Sequence, residues 1–88
     1  MSKKEAQYAY ELDLRVKAKD IKSWERQVKI DICVNGIHIC NYYMDFVITH
    51  NDGSEEYVEV KGFATDVWIL KAKLFRATYP DRKYTVIR

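Results

Sequence analysis

Several features typical of secreted, membrane or multidomain proteins are missing from this 88-residue sequence, which has three glycines, one proline and two cysteines. It contains no apolar run long enough to span a bilayer and no segment typical of a signal peptide. It also lacks internal repeats, low-complexity segments and linkers. These absences predict one domain over residues 1–88, with no membrane association, in the cytoplasm, where Cys33 and Cys40 would stay reduced.

The charge and composition leave several classes of function open. A net charge of +2 is only mildly basic, so it neither demands nor excludes a nucleic-acid partner. The chain is 48% hydrophobic, which is enough to form a core, but its length lies near the lower end for an independent domain. We therefore expect oligomerisation to help the fold.

Hydrophobic periodicity predicts an α+β protein. Residues 2–19 form the first predicted helix, opened by a capping box of Ser2 and Glu5, with Glu5, Ala9, Leu12 and Val16 on its inward stripe. A short connection containing Trp24 follows. The remaining predicted elements are strands at 28–34, 37–40, 42–49 and 57–61, a helix after the N-cap Thr65, and a last strand at 83–87. That second helix would have a broad apolar face made of Val67, Trp68, Leu70, Ala72, Leu74 and Phe75.

Asn35-Gly36 predicts the turn of a first hairpin, because both positions of a type I′ turn need positive φ. Tight pairing would place Val34 opposite Ile37 and Ile32 opposite Ile39, and a bulge or strong twist is expected near residues 40–42. Cys33, His38 and Cys40 would then share one face. They offer three soft zinc ligands without an obvious fourth, so an ordinary, partly covered hairpin face is the competing interpretation.

A second hairpin carries the main functional candidates. If its turn is centred on Asp52, Asp45 and Glu59 both lie seven residues away and face each other, with Cβ atoms roughly 4.5–5.5 Å apart. Lys61 falls on the same side by strand alternation. The other face, packed on helices, would be formed by Met44, Phe46, Ile48, Val58 and Val60. Opposed carboxylates repel each other, but a divalent cation such as Mg²⁺ would turn the repulsion into a binding site. The competing interpretation is a charged, exposed sheet edge. His50, beside the turn, is expected to be solvated.

Asp45, followed after thirteen residues by Glu59-Val60-Lys61, resembles the D…(D/E)xK signature of the PD-(D/E)XK nuclease clan. The chain is similar to small phage and prophage endonucleases described as resolvase-like or recombination nucleases. The segments that carry this similarity are 2–6, 10–12, 45–47, 59–63 and 71–75. The sequence departs from the clan at Met44, where a proline usually precedes the aspartate.

The resemblance implies a restriction-endonuclease-like α-β-β-β-α-β core with a mixed sheet, and a Mg²⁺-dependent endonuclease acting on DNA. Mn²⁺ is expected to substitute for Mg²⁺. Asp45 and Glu59 would hold the metal, with the Val60 carbonyl as a further ligand, and Lys61 would orient the attacking water. Glu5 either serves only in the helix cap or also supports the metal ion. Glu11 is the alternative candidate for supporting the metal.

The expected partners are DNA and a second copy of the chain. Lys71, Lys73 and Arg76 form a cationic set that either neutralises DNA phosphates or is an ordinary solvated face. A homodimer would bring two active sites to two strands, as in a Holliday-junction resolvase or a restriction or homing enzyme. Two other functions stay open: a non-catalytic module that stacks single strands on Tyr42, Tyr43 and Tyr57, and a phage interaction protein on a nuclease-like scaffold.

Overall fold

A four-stranded mixed sheet with a helix packed on each face forms the protein, as described for residues 2–88 by a computed structural model. The strand order is β1-β2-β3-β4, with antiparallel pairing in the meander and parallel pairing between β3 and β4. This confirms the predicted α-β-β-β-α-β layout. The elements are α1 Lys3–Lys17, β1 Ser23–Val34, β2 Ile37–Thr49, β3 Glu55–Val60, α2 Asp66–Thr78 and β4 Lys83–Ile87.

Both helices begin at the predicted caps. Ser2 Oγ accepts a hydrogen bond from the Glu5 N–H at 3.1 Å, and Thr65 Oγ1 accepts one from the Trp68 N–H at 3.1 Å. Each bond satisfies a backbone donor that the first helical turn leaves unpaired, which contributes about 1 kcal/mol. Neither helix within residues 2–88 is long and apolar enough to cross a membrane.

Two hydrophobic clusters lie on opposite faces of the sheet. The buried residues on the α1 side are Leu12, Ile21, Phe46, Ile48, Val58 and Val60. Those on the α2 side are Ile30, Ile32, Tyr42, Met44, Val47, Tyr57 and Phe75. The sequence placed Met44 with Phe46 on one face; this is wrong, because Met44 packs on the α2 side and Phe46 on the α1 side.

The change of face occurs at Gln27 and Asp45, which lie opposite each other in the β1–β2 register but outside its regular pairs. On β2, Met44 and Phe46 are two residues apart and would share a face in a regular strand, yet they point to opposite clusters. Gln27 has a φ of 52°, the left-handed conformation that regular strands do not contain. The alternation of side chains between the two faces therefore reverses in both strands at this position.

The strands are also longer than expected. β1 begins at Ser23 rather than at Val28, so Trp24 belongs to the strand and packs against Phe46 with ring centroids 5.6 Å apart. The positive φ at Gln27 divides the alternation of β1 into two parts. Only the second part shows a clear strand pattern in the sequence, so the sequence predicts a connection in place of the first part.

The first hairpin has the predicted turn and a different register. Asn35 and Gly36 both have positive φ, and Val34 pairs with Ile37 as expected. Ile32, however, pairs with Cys40 rather than with Ile39, because the register shifts between Ile32 and Cys33. The irregularity thus lies closer to the turn than the predicted bulge at residues 40–42.

That shift separates the two cysteines. Cys40 packs against the cluster on the α2 side, beside its strand partner Ile32, whereas Cys33 pairs with His38. The expectation that Cys33, His38 and Cys40 share one face is therefore wrong. Both thiols are free.

Helix α2 is less buried than its pattern suggests. Ala72 and Phe75 are buried and Trp68 and Leu74 are partly buried, but Val67 is 65% exposed and Leu70 59% exposed. The predicted apolar face was therefore too broad. Its buried part contacts the sheet through Phe75, which lies against Tyr42, Tyr57 and Tyr84.

Candidate functional site

Asp45 and Glu59 lie where the β2–β3 ladder ends. Its last regular pair is Phe46 with Val58, and all observed pairs have the register predicted from a turn centred on Asp52. Beyond that pair, carboxylate side chains rather than backbone carbonyls accept the hydrogen bonds between the two strands. Asp45 Oδ2 accepts from the Val60 N–H at 2.8 Å, and Glu59 Oε2 accepts from the Asp45 N–H at 3.1 Å. The structure therefore brings the two predicted carboxyl groups together.

The twist at Asp45 explains why its side chain reaches β3. In a regular strand the Asp45 side chain would stand out from one face of the sheet. Here Asp45 lies at the point where the side chains of β2 change face, and its carboxylate accepts a hydrogen bond from the backbone of β3. From the other side, Gln27 Nε2 approaches Asp45 Oδ1 at 3.4 Å. Gln27 lies just before the strand predicted to begin at Val28, and nothing in the sequence marks it as part of the site.

Glu59 is the one buried charged residue among those described, with 2% of its surface exposed. Its Oε1 accepts a hydrogen bond from Trp68 Nε1 at 3.0 Å and lies 3.8 Å from Lys61 Nζ. Trp68 Nε1 also lies 3.1 Å from the Tyr42 hydroxyl, which is 2.8 Å from the hydroxyl of Tyr84. A polar network thus fixes the Glu59 carboxyl group from the α2 side.

Burial and the neighbouring Asp45 carboxylate raise the pKa of Glu59 to about 7. The Asp45 N–H, Lys61 and Trp68 act in the opposite direction but do not offset the burial. A carboxyl group removed from water beside a like charge favours its neutral form. Near neutral pH the pair therefore holds a proton for part of the time, and a bound cation would relieve the same repulsion.

Lys61 and Lys71 border an open cleft next to Glu59. The cleft has a volume of about 240 Å³ and is lined by Tyr42, Tyr43, Glu59, Lys61, Thr65, Val67, Trp68 and Lys71. Lys61 Nζ lies 5.3 Å from the centroid of the Trp68 ring, a cation–π distance, and Lys71 Nζ donates to the Asn41 carbonyl at 3.2 Å. The cleft therefore places two cations beside a buried carboxyl group.

The other two members of the predicted cationic set lie elsewhere. Lys73 is exposed on α2. The Arg76 guanidinium lies 5.7 Å from the centroid of Tyr84 and lines a separate hollow with Val86 and Arg88. Of Lys71, Lys73 and Arg76, the structure thus brings only Lys71 to the cleft at Glu59.

The Val60 backbone faces the gap between β2 and β3. Its N–H donates to Asp45, whereas the next N–H, that of Lys61, donates to the Ile87 carbonyl on β4 at 2.8 Å. The N–H and C=O of one strand residue point to the same neighbouring strand. The Val60 carbonyl therefore faces β2, on the side of Asp45.

Helix α1, which carries Glu5 and Glu11, packs on the face of the sheet opposite to α2. The backbone of Glu5 takes part in the helix cap, where its N–H donates to Ser2. Glu11 lines a hollow with Lys4, Gln7, Tyr8, Val60 and Ile87. Glu11 thus shares a hollow with one of the candidate site residues, Val60.

Two further expectations need correction. His50 was expected to be solvated, but it is partly buried and its Nε2 lies 3.0 Å from Glu56 Oε1. Of the three tyrosines suggested as a stacking platform, Tyr42 and Tyr57 are buried in the cluster on the α2 side, and Tyr43 alone is exposed. These three rings therefore do not form a surface on which bases could stack.

Fold and site together define a small α+β domain in which two strands of a mixed sheet hold a carboxyl pair and a lysine beside an open cleft. The chain belongs to the family described as "Protein of unknown function (DUF1064)", whose model matches residues 1–88. Comparison with curated proteins and with solved structures found no match.

The raised pKa of Glu59 predicts how stability depends on pH in the presence of a chelator. Because the folded state binds this proton more tightly than the unfolded chain, whose glutamate titrates near 4.5, the free energy of unfolding should fall as pH rises from about 4.5 to 7. Glu59→Gln should remove this fall, which is on the order of 2 kcal/mol in wild type, because the amide does not titrate in this range.

Urea unfolding between pH 5 and pH 8 in EDTA measures this effect. Glu25→Gln is the matched control, because it removes the same charge from an exposed position on β1 and should preserve the wild-type pH dependence. If wild type and Glu59→Gln showed parallel pH profiles, the carboxyl group would not be desolvated as described.

Proposed function

We propose that this protein is a Mg²⁺-dependent endodeoxyribonuclease of the PD-(D/E)XK type that hydrolyses phosphodiester bonds in DNA. The observation that carries the proposal is the buried Glu59 carboxyl group, held against the backbone of Asp45 and within 3.8 Å of the Lys61 amine. Two carboxyl groups packed beside each other repel, and a bound cation would offset that repulsion. The α-β-β-β-α-β order adds support, because it is the core expected for that clan.

The donor atoms at the site fit Mg²⁺. Asp45 and Glu59 provide carboxylate oxygens, and the Val60 carbonyl faces the same gap, so all candidate ligands are hard oxygen atoms. Each carboxylate oxygen that accepts an N–H bond keeps a further lone pair for a metal ion. Mn²⁺ prefers the same ligands and should substitute. When bound, the cation would lower the pKa of a coordinated water and polarise the phosphate.

Lys61 would act on the reacting groups. Its amine lies beside Glu59 and over the Trp68 ring, so its position is fixed from two directions. From there it would orient the attacking water and offset the negative charge that develops on the phosphate in the transition state. Trp68 would position both Glu59 and Lys61 without touching the substrate. Glu5, or Glu11 in its place, would support the metal from α1.

The size of the domain bears on how it would hold DNA. A domain of this size offers little surface to grip a duplex, so we propose a homodimer that presents two active sites to two DNA strands, as a Holliday-junction resolvase or a restriction or homing enzyme does. Lys71, Lys73 and Arg76 would contact phosphates, Lys71 nearest the cleft. We place the protein in the cytoplasm, that of the host if a phage encodes it.

Removal of either proposed catalytic group should abolish cleavage. Asp45→Asn and Lys61→Ala should each slow Mg²⁺-dependent hydrolysis by at least about 100-fold, because each removes a group that acts directly on the metal or on the reacting water. The measurement is cleavage of a panel of linear duplex, single-stranded, branched and four-way-junction DNAs, with Mg²⁺, with Mn²⁺ and with EDTA.

Lys22→Ala serves as the control, since it removes an exposed lysine between α1 and β1. It should cleave like wild type. The nuclease assignment fails if wild type cuts none of these DNAs with either metal, or if Asp45→Asn and Lys61→Ala retain full activity.

The position of Lys71 predicts that it contributes more to DNA binding than Lys73 does. In an Asp45→Asn background that prevents cleavage, Lys71→Ala should weaken binding and reduce the slope of log K against log salt by about 1, because one phosphate contact is lost. Lys73→Ala, with the same change of charge on the exposed face of α2, should have the smaller effect. Fluorescence anisotropy at several salt concentrations measures both, and equal effects would argue against the cleft as the DNA path.

A further inference from the structure

A second group of potential metal ligands lies near the tip of the first hairpin. Asp31 and Cys33 are two residues apart on β1 and therefore point to the same side of the sheet, and Cys33 pairs with His38 on β2. The shift of register between Ile32 and Cys33 sets this pairing; without it Cys33 would face Ile39 instead. The three side chains thus meet because the hairpin is irregular at this point.

The ligand atoms are close enough to share one ion. One ligand atom of each residue, the Cys33 sulfur, a His38 ring nitrogen and an Asp31 oxygen, lies within 4.8 Å of the other two. The Cys33 sulfur is 3.5 Å from Asp31 Oδ2, and His38 Nδ1 is hydrogen-bonded to Asp31 Oδ1. The Asp31 and His38 side chains are 61% and 53% exposed, so an ion can enter directly from solvent.

We propose that Asp31, Cys33 and His38 form a zinc site. Thiolate, imidazole and carboxylate are the three ligand types that Zn²⁺ accepts in proteins, and three protein ligands leave a fourth, open position for water. The same set suits Mg²⁺ poorly, because Mg²⁺ takes oxygen ligands. The site is therefore chemically distinct from the oxygen-only site at Asp45 and Glu59.

The two sites are also separate in space. Asp31 pairs with Asn41, which lies four residues before Asp45 on β2. At about 3.3 Å per strand residue the separation is roughly 13 Å, too far for any ligand to be shared. The zinc proposal therefore stands independently of the nuclease proposal.

Zinc would cross-link the two strands of the hairpin. On binding, the Cys33 thiol gives its proton to solvent as the sulfur–zinc bond forms, and Asp31 exchanges its hydrogen bonds to Cys33 and His38 for a bond to the ion; no electron transfer is involved. The backbone of this segment is already tied to the C-terminal end of α2, because the Tyr79 hydroxyl donates to the Asp31 carbonyl at 2.8 Å. Zinc would add a link between the side chains of the two strands.

Cobalt binding to the full chain under reducing conditions tests the proposal, because thiolate coordination to Co²⁺ produces a charge-transfer absorption that oxygen ligands do not. Titration should give this band with one equivalent of Co²⁺, and Zn²⁺ should displace it. Cys33→Ser should abolish the band, and His38→Ala should weaken Co²⁺ binding at least tenfold. Circular dichroism of both variants should be unchanged, since His38 is exposed and Cys33 is not in the core.

Cys40→Ser is the matched control: it removes a thiol from the same hairpin, but one that packs on the α2 side. Its cobalt band should match that of wild type, as should the band of Glu59→Gln. The proposal is overturned if wild type shows no thiolate band at millimolar Co²⁺, if Cys33→Ser retains the band, or if Cys40→Ser loses it.

Discussion

The structure depends on how the β2–β3 ladder ends. At the Phe46–Val58 pair the backbone bonds stop, and the N–H groups of Asp45 and Val60 are satisfied by carboxylate oxygens instead. A buried N–H without an acceptor would cost a substantial part of the stability of so small a domain. Asp45 and Glu59 therefore belong to the fold as much as to the site, because each completes the backbone hydrogen bonding of the other's strand.

The two helices determine the electrostatics of that junction. Phe46 and Val58 are fully buried beneath α1, and Tyr42 and Tyr57 are buried beneath α2, so the strands on either side of the junction are shielded from water. In such surroundings the Glu59 carboxyl group loses solvation and its pKa rises. The Trp68 N–H and the Lys61 amine restore part of the lost interaction. The site therefore destabilises the ionised form of Glu59, and a cation bound between the two carboxyl groups would stabilise it.

Much of this arrangement can be predicted from short stretches of the sequence. The caps at Ser2 and Thr65 depend on neighbouring residues alone, and a turn centred on Asp52 fixes the register that brings Asp45 opposite Glu59. The change of face at Gln27 and Asp45 could not be predicted, because it needs a left-handed backbone at a residue that is neither glycine nor asparagine. The role of Trp68 was also missed. Its indole N–H reaches Glu59 only once α2 has packed on the sheet, and in the sequence it is one more apolar residue of a helix.

Both groups of candidate ligands occur where β2 departs from regular pairing. A regular strand presents its side chains alternately to two faces and its backbone to its neighbours, so three polar groups from two strands rarely converge. At Asp45 the twist turns a carboxylate toward the next strand, and near Ile39 the register shift places His38 opposite Cys33. Irregular points in sheets re-aim side chains in this way and are common beside functional sites. The same property that makes these segments hard to predict from alternation is what allows their side chains to meet.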